Sequence, residues 1–89
     1  MISRTSKRFR QCFEKLPTQV QSEARDAFRF FQKDSSYQSL NFKKVHSREP
    51  IYSVRINLNY RALGRKEGHE IMWFWIGSHD DYEKLLKNF

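Results

Sequence analysis

Eighty-nine residues make one domain with one modest core, and 17 Lys and Arg against 10 Asp and Glu leave a net charge of +7. That balance points to an acidic partner such as nucleic acid, an acidic protein segment or an anionic surface. The single cysteine, Cys12, excludes an internal disulfide and a thiolate metal site, and three scattered histidines show no ligand spacing, so neither metal nor cofactor is expected.

No run is long enough to span a bilayer, and Met1 to Pro17 lacks the apolar stretch of a signal peptide, so a reducing cytoplasm is the expected compartment. Met1 to Thr5 could form a brief edge strand. Phe9, Cys12, Phe13 and Leu16 fall at helical spacing and predict a first helix that stops at Pro17. Thr18 with Gln21 three residues later fits a capping box, and Val20, Ala24, Ala27, Phe28 and Phe31 make the apolar stripe of a second helix. Both stripes are one-sided, with Lys7, Arg8, Arg10, Glu14, Glu23, Arg25, Asp26 and Arg29 on the other faces, so two antiparallel helices covering a core are expected. Asp34-Ser35-Ser36 ends the second helix. Asn41 to His46 is a plausible strand, and Ser47 to Pro50 turns the chain back.

From Tyr52 to Ala62 the even positions are Tyr52, Val54, Ile56, Leu58, Tyr60 and Ala62, while the odd ones are Ser53, Arg55, Asn57, Asn59 and Arg61. A period of two marks strands with one buried and one wet face. Asn57-Leu58-Asn59 breaks it with turn-tolerant residues, which predicts a hairpin of Ile51 to Ile56 and Tyr60 to Lys66, with Ile56 facing Tyr60 and Arg55 facing Arg61. Like charges so placed repel, by a few tenths to about 1 kcal/mol. Two readings stay open: the guanidiniums hold an anion between them, or they are two solvated strand arginines. Glu67-Gly68 turns into Glu70 to Ile76, an aromatic and aliphatic run expected to be a central strand, which Gly77-Ser78 stops. Ser78 can cap a short last helix with Asp80 and Asp81 in its first turn, Lys84 and Lys87 near its end, and Tyr82, Leu85, Leu86 and Phe89 on one face.

The expected fold is therefore α+β: one domain over residues 1–89, with two N-terminal antiparallel helices packed on a small antiparallel sheet and a short C-terminal helix. Between Phe42 and Lys66 lie Lys43, Lys44, Arg48, Arg55, Arg61, Arg65 and Lys66 against the single acid Glu49. Basic charge concentrated on the sheet and interleaved with Tyr52 and Tyr60 is the composition of an RNA-contacting surface.

The order helix, helix, strand, then YSVRI, a short turn, YRALG, a hydrophobic strand and IGSHDDY resembles the RelE/ParE superfamily of bacterial toxins from type II toxin-antitoxin systems. The resemblance implies a helix pair on an antiparallel sheet, a cognate antitoxin that wraps the toxin, and, in many members, cleavage of messenger RNA in the ribosomal A site. Arg61 matches the arginine of the family's Tyr-Arg motif, which contacts the scissile phosphate in RNA-cleaving members, and Arg55 matches a basic position on the preceding strand. His79 follows the glycine ending the last central strand, where members similar to YafQ have histidine and those similar to RelE often have arginine. Tyr82 lies near an aromatic position of several members. Ser53 stands where RelE-like members have lysine, so part of their basic set is absent.

The chemistry also follows from the residues. Cleaving RNA without a metal needs a base for the 2′-hydroxyl proton, cations for the charge growing on phosphate, and a proton for the leaving 5′-oxygen. His79 is the first candidate proton carrier and His46 a second, while His69 beside a turn is expected to be solvated. The catalytic candidates are Arg61, His79, Arg55 and Tyr82, and the nucleic-acid contacts are Lys43, Lys44, His46 and Arg65. The expected activity is that of a ribosome-dependent endoribonuclease that inhibits translation. The alternatives are a ParE-like poison of DNA gyrase acting by binding and a degenerate antitoxin-binding module without activity.

Overall fold

A computed structural model describes residues 1–89. Strand β1 (Ile2–Thr5) leads into helix α1 (Lys7–Glu14), helix α2 (Thr18–Lys33), a 3-10 turn at Gln38–Leu40, strands β2 (Lys43–Lys44), β3 (Ile51–Asn57), β4 (Tyr60–Glu67) and β5 (Glu70–Ser78), and helix α3 (His79–Lys87). The five strands form one sheet in the order β1-β5-β4-β3-β2. The α+β class is as expected, but the sheet is mixed rather than antiparallel, because β1 pairs with β5 in parallel. A parallel neighbour has to be reached through a crossover, and α1 to β4 supply it.

Helices α1 and α2 bury Phe9, Val20, Ala24, Ala27 and Phe31 against Val54, Ile56, Ala62, Ile71, Trp73 and Ile76. Trp73 is the hub, with its ring 5.1 Å from Phe28, 5.4 Å from Phe31 and 6.5 Å from Phe42. The capping box expected at Thr18 is absent. Pro17 occupies the cap and no side chain bonds there, so Thr18 is already helical. Gln21 instead turns its amide toward the carbonyls of Phe13 and Leu16 and joins the end of α1 to the start of α2.

Helix α3 overturns the idea of a wet sheet face. It lays Tyr82 on Ile51, Leu63 and Trp75, with Val45, Phe74, Leu85 and Leu86 around them, as a second small core. Ile51 and Leu63 thus sit in an apolar layer, and Ser53, which the alternation assigned to solvent, is 2% exposed. On that face Arg55 and Arg61 stay partly open at one end, and Lys43 and Arg65 are exposed away from α3. The expected Ser78 cap is present, with its Oγ accepting from Asp81 N at 3.2 Å.

Two irregularities set the registers. Asn57, not Ile56, pairs with Tyr60, and the shift between Arg55 and Asn57 places Ile56 in a bulge. Ile56 enters the core on the side of Val54, and the shift moves the tight turn to Leu58 and Asn59, where Asn57 Oδ1 accepts from Asn59 N at 2.8 Å. Leu58, counted by its position among the buried residues, ends up 72% exposed. A second shift separates Leu63–Trp75 from Gly64–Trp73, so Trp73 points to the helix pair and Trp75 to α3. No helix is long and apolar enough to cross a membrane.

Candidate functional site

Arg55 and Arg61 are directly opposed across β3 and β4, so their side chains leave the same face. On the other flank of β4, Arg61 pairs with Gly77 and Tyr60 with Ser78. His79 N then donates to Asn59 O at 2.7 Å, which ties the first residue of α3 to the hairpin turn. The sheet register and this one bond bring Arg55, Arg61 and His79 to a single corner. A Cβ on Gly77 would stand 2.5 Å from the Trp75 ring, so the indole fills the space beside Arg61 that a side chain there would need.

The three groups differ in freedom. Arg61 is half-buried and gives Nη1 to Asn57 O at 2.6 Å and Tyr60 O at 2.9 Å, which locks its stem over the turn. Burial, then the Arg55 charge, lowers its pKa from the ordinary arginine value, and Tyr82 and Glu83 act in the opposite direction. A guanidinium starts so high that it still carries its charge at neutral pH. Arg55 makes no side-chain hydrogen bond or ion pair, and borders a groove of about 190 Å³ against Glu23, Asp26 and Phe30 of α2. His79 lines a shallow cleft of about 160 Å³ with Asn59, Tyr60, Ser78 and Asp80. Its side chain is 42% exposed and its Nε2 lies 3.5 Å from Glu83 Oε1. Two guanidiniums without ion-pair partners beside an accessible imidazole can hold a phosphate and move a proton next to it.

The sequence profile of the ParE-like toxin domain matches residues 18–84, which takes in both arginines and His79. The chain belongs to the ParE-like toxin domain family. Its fold is similar to the crystal structure of the RelB-RelE antitoxin-toxin complex of Methanococcus jannaschii, with a TM-score of 0.74 at 17% identity over 92% of this chain and 96% of that one. It is also similar to a YoeB/ParE toxin of Agrobacterium tumefaciens (TM-score 0.70, 13% identity, 89% and 99% covered). YafQ of E. coli gives a TM-score of 0.66 at 6% identity, with 90% and 94% covered. No curated protein matches the sequence.

Elsewhere in this ParE-like domain the predicted site residues separate. His46 follows Val45, whose N–H bonds Ile51 O at the far end of β3. That end is four residues, or roughly 13 Å of strand, from Arg55. Its Nδ1 accepts from the backbone N–H groups of Arg48 and Glu49, at 3.1 and 2.8 Å, and its ring meets the edge of Phe89. The second proton carrier expected there is a turn cap instead. Arg65 shares that end and is committed to Glu49 at 2.6 Å, with Glu67 at 3.8 Å, so it is not a free phosphate ligand.

Lys43 pairs with Ser53 and Lys44 with Tyr52. Lys43 therefore shares the Arg55 face, whereas Lys44 lies on the helix-pair side. Tyr52 stacks on Phe42, with ring centres 5.0 Å apart, and both Tyr52 and Tyr60 pack on the main core, so neither offers a stacking platform interleaved with the cations. Tyr82 is near the site but not open to it. It is 6% exposed and its hydroxyl reaches Ser53 Oγ at 3.5 Å beneath α3. No group of three His, Cys, Asp or Glu side chains is placed to hold a metal.

The residue that sequence reasoning missed is Glu83, the carboxylate paired with His79. Its signal was the spacing of four along α3, which puts the two side chains on adjacent turns.

For Tyr82 the structure gives a sharp expectation. Tyr82→Phe should keep full biological activity and lose at most about 1 kcal/mol, because only one long hydrogen bond disappears. Tyr82→Ala should cost roughly 3 kcal/mol or more through the cavity under α3. Denaturant titration beside a growth assay checks both. Loss of activity in a fully stable Tyr82→Phe would return the hydroxyl to the list of reacting groups.

Proposed function

We propose that this domain is the toxin of a toxin-antitoxin pair and acts as a ribosome-dependent endoribonuclease. The observation carrying this reading is the corner where Arg55, Arg61 and His79 meet. A protein that acts only by binding needs no exposed proton carrier beside two phosphate-binding cations. In the proposed reaction the two guanidiniums grip the scissile phosphate and His79 takes the 2′-hydroxyl proton. The 2′-oxygen then bonds to phosphorus as the bond to the 5′-oxygen breaks, and the departing oxygen is protonated from solvent. The products are a 2′,3′-cyclic phosphate and a 5′-hydroxyl. The corner is shallow, so the ribosome supplies the alignment of 2′-oxygen, phosphorus and leaving oxygen, an effect worth roughly 7–11 kcal/mol in well-oriented systems. The antitoxin named in the Methanococcus jannaschii complex supports an antitoxin partner here as well.

Primer extension on cellular messages after induction tests this reading. Cuts should fall within translated codons and vanish when initiation is blocked. Intact messages accompanied by gyrase-linked DNA breaks would overturn it in favour of a gyrase poison that acts by binding.

The face that meets RNA is open to a separate measurement. Lys43 stands diagonally across from Arg55 on the same face. Lys43→Ala should reduce the slope of log affinity against log salt by about 0.7, the value for one phosphate contact on a single strand. Arg25 lies over the Phe13 ring at 5.2 Å and Arg10 donates to Thr5 O at 2.7 Å. Their alanine variants should change the slope less, as should Lys44→Ala. A larger change in the helix variants would put the nucleic acid on the opposite side of the sheet.

A further inference from the structure

The proposed reaction rests on one imidazole, and an exposed imidazole at a helix start is free to swing about its χ angles unless something holds it. Three contacts restrain His79. Its backbone N–H is fixed by Asn59 O, its ring lies 5.6 Å from that of buried Tyr82 at an angle of 44°, and its Nε2 faces Glu83 Oε1 at 3.5 Å. Only the last addresses a ring nitrogen.

The partnership is not the ordinary one for Glu83. Lys87 stands four residues after it, in the arrangement that stabilises exposed helices. Glu83 makes no ion pair with Lys87 and turns one turn back toward the N-terminus of α3 instead. The other ion-paired carboxylates serve distant or structural arginines: Glu70 holds Arg4, Asp26 holds Arg29, and Glu49 and Glu67 hold Arg65. Glu23 accepts from Asn57 Nδ2 at 3.3 Å on the helix side of the hairpin, so Glu83 is the carboxylate that meets His79, and its charge is also felt by Arg61.

We propose that Glu83 is the positioning residue of the site: by accepting the Nε2 proton of His79 it fixes the ring and presents Nδ1 to the RNA. The inference rests on the ribonuclease reading for its consequence, although not for the pairing itself. In a neutral imidazole one nitrogen donates while the other accepts, and the partner of the donor decides which is which. Glu83 Oε1 stands 3.5 Å from Nε2, longer than a formed hydrogen bond, and once the two close on each other with the proton on Nε2, the lone pair of Nδ1 is left for the 2′-hydroxyl proton. The logic is that by which a buried carboxylate orients a catalytic histidine, here with a partly exposed pair. A carboxylate 54% exposed whose charge reaches Arg61 also opposes RNA slightly, so its removal should not weaken binding.

The experiment compares wild type, Glu83→Ala and Glu83→Gln in single-turnover cleavage of messenger RNA on translating ribosomes, together with long-range 1H–15N spectra of the histidine rings in the purified proteins. In Glu83→Ala the cleavage rate should fall about 10-fold, the lower end of what outer partners of metal-bound histidines contribute, since this pair is partly exposed. The half-saturating ribosome concentration should stay equal or fall. His79 should lose its single tautomer in the same variant. Glu83→Gln, whose carboxamide oxygen still accepts from Nε2–H, should recover most of the rate and the wild-type tautomer. A helix-stabilising role alone would leave rate and tautomer untouched in both variants, and that result overturns the proposal. So does Glu83→Gln behaving like Glu83→Ala, which would mean that charge and not orientation matters. If wild type cuts no RNA, the ribonuclease reading fails by itself, and the spectra still decide whether Glu83 holds His79.

Discussion

Arg55→Ala and His79→Ala are each expected to relieve the growth arrest that follows induction of the wild-type domain, with cleavage reduced about 100-fold or more. A positioned acid or base contributes roughly 10²–10⁴, and one charge-stabilising donor about 10²–10³. Neither change should disturb the fold. Arg55 has no side-chain hydrogen bond or ion pair, and His79 is 42% exposed, with one long contact to Glu83 and a tilted ring contact to Tyr82, so each should cost no more than about 0.5 kcal/mol. Arg61→Ala should also abolish activity, but it is the poorer probe. Its guanidinium ties down Asn57 O and Tyr60 O, and removing it frees the hairpin turn at a cost of about 1–3 kcal/mol. Viability counts after induction, with circular dichroism of the purified variants, check this. If Arg55→Ala and His79→Ala are both folded and both fully toxic, the assignment of the corner is wrong.

The largest effect on stability is expected from Trp73→Ala. The indole is 1% exposed, meets Phe28 and Phe31 of α2, and lies in the core cluster that also holds Phe9 of α1. Truncating a buried Trp costs about 3–5 kcal/mol, a large part of the roughly 5–15 kcal/mol that holds a small domain together. In urea the unfolding midpoint should drop by at least about 1 M at an unchanged slope, or the protein should be unfolded from the start. A change below about 1 kcal/mol would mean that the helix pair does not depend on this cluster. By contrast Leu58→Ala, at the exposed turn tip, should be close to neutral.

Local pattern carried the sequence reading furthest where neighbours in the chain are also neighbours in space. The opposition of Arg55 and Arg61 followed from a period of two around a short turn, and the Ser78 cap from residue chemistry at a strand stop. Both are contacts between residues close along the chain. What the pattern could not show was the third layer. Ser53 and Ile51 alternate as a strand must, but whether α3 returns to cover them depends on Tyr82, nearly thirty residues later, and on the small core it completes with Leu63 and Trp75. The irregularities at Ile56 and between Trp73 and Trp75 were equally hidden: the first turns Asn57 to the side of Tyr60, and the second sends two tryptophans of one unbroken apolar run to opposite faces. His46 and Arg65 looked like site residues by charge alone. Their nearest partners, the Arg48 and Glu49 amides and the Glu49 carboxylate, lie at the other end of the sheet and use them for structure. Glu83 was passed over for the converse reason: an acid on an exposed helix ordinarily means only solvation, and its pairing with His79 became visible once α3 had a place.

The central claim is that the corner of Arg55, Arg61 and His79 cleaves RNA by attack of the 2′-hydroxyl. The direct measurement is the chemistry of the ends produced when purified protein is added to ribosomes translating a single defined message. The expected result is cleavage within codons that leaves a 2′,3′-cyclic phosphate (or the 3′-phosphate formed when it opens) and a 5′-hydroxyl, with no cutting of the same message free in solution and none by His79→Ala. A message that stays intact on the ribosome, or fragments that carry 3′-hydroxyl and 5′-phosphate ends, would contradict it.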